Sequence, residues 1–359
     1  MATGTERRPG DTERPRFQRT SRVLHEARRL LRGRALQLLG FAVFVYLLLK
    51  LVPGLQQALD SLQGVSLTWI LGAMAVETLA ECGYVVSWQR ILDPDHLLRG
   101  EGRGRHLGAR VAWAQLGGGM VVPGGTLGSM GVGAWMLHRL GMPMNSVGER
   151  QFTLMFLNTA VDALAVVVFG LGLALGVFAA DVSPALTLVP ALVVACGLAL
   201  ALFVAGAAEQ LAPRLSARRP KLARAVSTLA LAVDNTRRML RHRGSGRVVL
   251  GAIAYLGFDM LVLQGAFLAI DAHPVPTFAI VAMSYLIGGL GGSIPLPANM
   301  GAVTGMAAML IAFGVDHSDA VAAVVLYQAI GFIVPLIGGA IAYVFLRREF
   351  GAAVAADAG

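Results

Sequence analysis

Residues 272–315 read AHPVPTFAIVAMSYLIGGLGGSIPLPANMGAVTGMAAMLIAFGV, and no Asp, Glu, Lys or Arg interrupts them. A membrane span needs about 20 apolar residues, so this stretch holds one crossing or two shorter segments. Its centre carries Pro295-Leu296-Pro297. Proline removes a backbone donor and clashes with the preceding turn of a helix. The stretch therefore reads as a membrane segment broken in its middle.

The same reading extends outward along the chain. Asp, Glu, Lys and Arg are also missing from 111–138, 182–208 and 320–346. Of 359 residues, 56% are hydrophobic and 14% charged, whereas a soluble domain carries about 25% charged residues. This surplus of apolar side chains exceeds what one soluble core buries. The expected fold is all-α, a polytopic helical membrane protein of about six full spans and two broken segments. The spans fall at 35–52, 67–86, 152–178, 184–205, 248–270 and 320–346. The broken segments fall at 107–140, interrupted at Pro123-Gly124-Gly125, and at 277–314. Each is expected to be re-entrant or a short hairpin.

Charge supplies an orientation. Ten Arg lie in residues 1–34, and ten Lys or Arg lie in 214–247. With the N-terminus inside, single crossings for the spans and a return for each broken segment, every Lys and Arg except Lys50 falls on the inner side. Confinement of basic residues to a few loops marks the cytoplasmic face. The net charge of +9 thus points to anionic phospholipids at that face, and nucleic-acid binding is not expected, because the basic stretches carry no RNA- or DNA-binding fold signal. The expected site is a bacterial inner membrane, with N- and C-termini cytoplasmic. The expected organisation is a basic tail (1–34), a first membrane half (35–206, span one plus a repeat unit over 67–178 plus a further span), a basic loop (207–247), a second membrane half (248–348) and a short tail (349–359). In the loop, Leu222, Val226, Leu229, Val233 and Leu240 recur at helical spacing. That stripe fits a helix lying on the inner leaflet or one packed on other cytoplasmic segments.

The two broken segments resemble one another. Gly128 to Gly141 and Gly301 to Gly314 have the same spacing, each segment follows a span that carries acid, and each precedes a long apolar span. The first unit begins outside and the second inside, which is the inverted-repeat plan of many transporters. Broken backbone at membrane depth persists only where protein or a wet cavity surrounds it, and half-helix N-termini favour anions such as a lipid phosphate. The substrate-pocket candidates are therefore Pro123, Gly124, Gly125, Thr126, Pro295, Pro297, Asn299 and Gly301. Arg110, Arg139 and Arg150 are candidates for lipid-phosphate contact.

Ionisable groups at membrane depth are costly and face a partner or a cavity. Glu77 and Glu81 lie one helical turn apart on one face, and Asp162 and Asp259 sit in other spans. They suit proton or cation coupling or headgroup contact, or else structural ion pairing with Arg110 or Lys50. Cys82 and Cys196 stand alone in apolar segments and read as small core residues. The seven histidines lack paired spacing, so no metal or other cofactor is expected. No nucleophile elbow, phosphate loop or zinc-protease motif occurs, so an enzyme is not expected. The basic start followed by apolar 35–52 reads as an uncleaved first span.

Three stretches resemble the family of the lysylphosphatidylglycerol synthase transmembrane region, also called flippase-like. They are Pro123-Gly124-Gly125 through Arg139-Leu140-Gly141-Met142-Pro143; Asn158-Thr159-Ala160-Val161-Asp162-Ala163-Leu164-Ala165; and Ile294 through Val303, continuing to Phe313-Gly314-Val315. The resemblance covers about residues 35–348. Asn158-Thr159 stand where the family has Glu-Arg, Ala298 and Asn299 stand for its glycines, and Thr304 stands for a Glu. The resemblance implies a translocase-like membrane region without the aminoacyltransferase domain. The expected function is to translocate or bind a lipid or lipid-linked cell-envelope substrate. The alternatives are a scaffold of an envelope-synthesis complex and, behind it, a membrane lipid transferase.

Overall fold

Long uninterrupted apolar sequence makes long helices, because a chain in lipid must satisfy its own backbone donors and acceptors. The computed structural model describes residues 65–93, 98, 106–122, 125–178, 182–216, 219–241, 245–293 and 300–356. These form α1 (Leu67–Leu92), α2 (Leu107–Val121), α3 (Gly125–Arg139), α4 (Met144–Ala174), α5 (Pro184–Gly206), α6 (Ala208–Ser216), α7 (Pro220–Arg241), α8 (Ser245–Ala269), α9 (Phe278–Gly289), α10 (Met300–Ala312) and α11 (His317–Ala356). Among the described residues, α1, α4, α5, α8 and α11 are long and apolar enough to cross a membrane. The expected tail 1–34 and span 35–52 lie outside the described residues.

The broken segments are helical hairpins. α2 and α3 have 15 residues each, α9 has 12 and α10 has 13. At 1.5 Å per residue these helices reach about 18–22 Å, short of a hydrocarbon layer about 30 Å thick. Within each hairpin the two helices run antiparallel. A methyl on Gly119 would meet Ser129, and one on Gly118 would meet Val132. A methyl on Gly291 would meet Gly301, and one on Gly288 would meet Gly305. Each segment therefore returns to the side it entered from, on helices shorter than a full span.

The two units, α1–α4 and α8–α11, share one plan. The contacts α1–α2, α2–α3, α3–α4 and α1–α4 have counterparts in α8–α9, α9–α10, α10–α11 and α8–α11. Between units, α1–α11 pairs with α8–α4, and α2–α11 with α9–α4. The hairpin exits match as well. Gly141 has φ 94° and Gly314 has φ 89°, the left-handed conformation that glycine adopts at least cost. The same two bonds close both turns: His138 O to Gly141 N and Leu137 O to Met142 N, then Ile311 O to Gly314 N and Leu310 O to Val315 N.

The units are inverted relative to each other, as α1 against α8 demonstrates. Ser66 N donates to Ala269 O (3.0 Å), Gly83 packs on Gly251, and Ser87 Oγ donates to Val248 O (2.9 Å). Partner numbers fall as α1 advances, so these equivalent helices cross the bilayer in opposite directions. At their crossing a methyl on Gly83 would lie 2.8 Å from Gly251 O and from Tyr255 N. Only paired glycines let the two backbones approach this closely.

The basic residues segregate to one end of the bundle. Leu92, Leu107, Leu137, Val147, Val248 and Leu346 share one buried cluster. Arg90, Arg110, Arg139, Arg150 and Arg247 stand near the helix ends around it, and Arg347 at the end of the apolar part of α11. The expected helix in the basic loop is α7. It packs on α6 and against α4, α5 and α8, burying Val226 and Val233 and leaving Leu222 and Leu240 exposed. Apolar side chains also cover the bundle's outside, among them Leu164, Val168, Val193, Leu200 and Phe203. In water such a patch would need a partner; here lipid supplies it. Cys82 and Cys196 belong to this outer surface, not to the core. A weakly polar thiol suits lipid as well as it suits protein interior.

Candidate functional site

Glu77 and Glu81 are 4% and 3% exposed, although both are carboxylates in a membrane helix. Across the α1–α8 crossing lies Asp259, 8% exposed. Glu77, Glu81 and Asp259 act on one another electrostatically, and Asp162 on α4 lies within reach of Asp259. Each of the four stands within about three residues, or about 5 Å, of its helix's midpoint. The four acids thus converge near mid-depth from three helices. Asp162 differs from the others in keeping an exposed face, so it forms the rim of the cluster where the others form its floor.

Four tyrosines enclose the acids. Tyr285 on α9 donates its hydroxyl to Asp259 Oδ2 at 2.5 Å, and Tyr327 on α11 also bonds Asp259. Their rings meet edge to face, with centroids 6.0 Å apart. Tyr84 on α1 and Tyr255 on α8 form a second pair at 5.5 Å, beside Glu81. Edge-on aromatic pairs hold such rings in fixed orientation. Every helix that lines the cluster belongs to one of the two inverted units, and α9 brings a hairpin to it.

The floor is not fully satisfied. Glu77 Oε2 and Glu81 Oε2 are buried and have no hydrogen-bond partner. Among the described residues, no Lys, Arg or His forms an ion pair with any of the four acids. Opposite Glu77 stands Gly331, where a methyl would lie 3.6 Å from Oε1. Bare helix backbone, not a counter-charge, faces that carboxyl.

A polar thread leaves the cluster toward the first hairpin. Gln115 on α2 donates from Nε2 to Tyr84 Oη at 3.1 Å, and its Oε1 accepts from Trp88 Nε1 and Gln151 Nε2, both at 2.9 Å. Ser129 Oγ on α3 donates to Gln115 O at 3.1 Å. Buried amides in lipid cost heavily unless paired, and here each pairs with another member of the thread.

The transmembrane region of lysylphosphatidylglycerol synthase supplies the sequence profile that matches residues 36–339. The chain belongs to this family. No individual curated protein matches it. Of the stretch 158–165, Asp162 lies at the cluster's rim, with Asn158 and Thr159 about a turn before it.

The remaining sequence candidates distribute as follows. Pro123, Gly124, Pro295, Pro297, Asn299 and Lys50 lie outside the described residues. Gly125 opens α3, Thr126 is exposed in its first turn, and Gly301 is buried against Gly291 in its own hairpin. Arg110 stacks over the Phe345 ring, 5.0 Å from its centroid, and Arg139 over Trp135 at 5.7 Å. Arg150 Nη1 donates to Leu92 O at 2.8 Å, closing the last turn of α1. Sequence reasoning missed the tyrosines and the amides. A signal existed: tyrosine in membrane proteins belongs to the interfaces, and Tyr84, Tyr255 and Tyr327 sit well inside their helices.

Proposed function

We propose that this protein binds the polar head of a lipid or lipid-linked cell-envelope substrate and passes it between leaflets. The observation that carries the reading is the acid and tyrosine cluster at mid-depth, enclosed by two inverted units with re-entrant hairpins. A headgroup crossing lipid loses its hydration, and only a polar lining at mid-depth offsets that loss. Inverted units supply two related entry routes to one site, the geometry that alternating access uses. Asp162 at the rim offers the first polar contact, and Asp259 with Tyr285 and Tyr327 offers a fixed, aromatic-walled seat beyond it.

The test is transfer of fluorescent phospholipid in vesicles of phosphatidylcholine and phosphatidylglycerol, read by quenching of the outer leaflet. We expect the purified protein to make the protected inner-leaflet pool accessible within minutes. Protein-free vesicles should keep it protected. Equal rates with and without protein, for phospholipid and for lipids co-purified with the protein, would sink the reading.

The same reading puts the basic end of the bundle at the cytoplasmic face of a bacterial inner membrane, N- and C-termini included, where Arg110, Arg139, Arg150 and the 207–247 loop meet anionic phospholipid. A cysteine at Ser216, on α6, should then resist impermeant maleimide in intact cells and react after permeabilisation. Labelling in intact cells would reverse the orientation.

A further inference from the structure

Glu77 and Glu81 are set up for more than packing inside the bundle. Both are more than nine-tenths buried, both have an orphan carboxylate oxygen, and among the described residues neither forms an ion pair with a base. The groups that face them are acids and phenols. Glu77 has Glu81 on its own helix, Asp259 and Tyr255 on α8 and Tyr327 on α11. Glu81 has Asp259, Tyr84 and Tyr255. From α4, Asp162 reaches Asp259. The bases on elements packed against α1 serve its end: Arg150 bonds Leu92 O, and Arg110 covers Phe345. Uncompensated carboxylate charge in such surroundings carries a large penalty. A small cation bound at these oxygens removes that penalty.

Geometry selects which cation. Among the described residues, no three of the acids, histidines and cysteines converge closely enough to hold a metal ion. The acids act on one another at a distance without forming a chelate. A proton needs only one oxygen, and each glutamate offers one with nothing bound to it.

We propose that Glu77 and Glu81 form a proton-binding site whose loading and unloading is coupled to headgroup transfer. The coupling rests on the transport reading above; the proton site does not. The step balances simply. A proton from water on one side binds a free Oε2, and a proton returns to water on the other side after the site reopens. No bond of the lipid is made or broken. Glu77 and Glu81 act electrostatically on Asp259, which Tyr285 bonds, so the charge state of the two glutamates reaches the hairpin helix α9.

Two measurements on the full chain test this. The first is infrared acid–base difference spectroscopy of protein in lipid nanodiscs, with choline chloride or sodium chloride as the salt. Acidification should raise a carboxylic C=O band that shrinks in both E77Q and E81Q and is the same in either salt. A band unchanged in both variants, or one abolished by sodium, overturns the proton site. The second is fluorescent phosphatidylglycerol in vesicles with a gradient of one pH unit. With one proton per cycle, that gradient shifts the leaflet distribution about tenfold. The wild-type shift should vanish in E77Q and E81Q; a full shift in both overturns coupling. If the infrared band responds as expected while wild-type protein moves no lipid, the proton site stands and the transport reading falls.

Discussion

Replacing Gly251 with leucine will force α1 from α8 and leave little folded protein in the membrane. A first carbon at this position would lie 2.5 Å from Ser87 Oγ and 2.8 Å from Gly83 O. The serine hydroxyl has some freedom to move, but the Gly83 carbonyl is helix backbone and has none. The helices therefore have to separate along a contact that runs from Ser66–Ala269 to Ser87–Val248. Overpacking of a close-packed interior typically costs about 1–3 kcal/mol, and backbone against backbone belongs at the upper end. The same crossing carries Glu77, Glu81 and Asp259, so the site is lost with it. Gly257 is the control. It lies on the same helix, six residues on, with nothing within 4 Å of its added carbon. Thermal unfolding of detergent-purified protein should show a large drop for Gly251→Leu and a small one for Gly257→Leu. Equal behaviour of the two would remove the paired-glycine crossing as the keystone of the fold.

Asp259→Asn should leave the protein folded and stop it working. The carboxylate accepts the hydroxyls of Tyr285 and Tyr327. Asparagine keeps one carbonyl acceptor of similar shape, so most of this architecture survives. Leucine keeps none, and each buried hydroxyl left without its acceptor costs about 1–3 kcal/mol. Asp259→Leu is therefore expected to lower the unfolding temperature clearly, and Asp259→Asn hardly at all. Transport should separate differently. A charge that meets the passing headgroup is absent from both variants, and loss of even ~1.4 kcal/mol of barrier stabilisation slows the step about tenfold. We expect both variants to transfer fluorescent phospholipid at a tenth of the wild-type rate or less. Wild-type transfer by a well-folded Asp259→Asn protein would show that Asp259 only anchors the two tyrosines.

The hairpins carried their own signature along the chain. Pro123-Gly124-Gly125 and Pro295-Leu296-Pro297 interrupt apolar segments, where proline beside glycine or a second proline disfavours a continuous helix, whereas the lone Pro190 and Pro335 sit inside α5 and α11. Gly141 and Gly314 stand at equal distances from Gly128 and Gly301, and both proved to be left-handed exits held by the same pair of bonds. Such features are local. Their cause lies within a few residues of backbone, so one strand of sequence displays them. The acids were legible for a related reason: an ionisable group in a membrane span has no cheap position, wherever the helix turns.

Helix rotation was not legible. In a soluble helix, water on one side and core on the other impose a polar and an apolar face. In lipid both sides are apolar, so an apolar residue such as Cys82, which faces outward beside buried Glu81, carries no mark of which side it takes. The reading of the cysteines as core residues failed on that point. Tyr84, Tyr255, Tyr285 and Tyr327 come from four helices, and Gln115 and Gln151 from two more. Nothing near any of them in the chain signals the others.

Sequence by itself therefore determined that this is a polytopic helical membrane protein, where its apolar segments break, that the two broken segments share a spacing, and which acids need explaining. Only the tertiary structure decided that α1 and α8 cross backbone to backbone at Gly83 and Gly251, and that this crossing gathers Glu77, Glu81 and Asp259 among four tyrosines with two carboxylate oxygens left unbonded. The division has one physical reason. Transfer into lipid is a property summed along a single segment, whereas a polar site at mid-depth is a relation among side chains on different helices, set by how closely those helices approach and how each is turned.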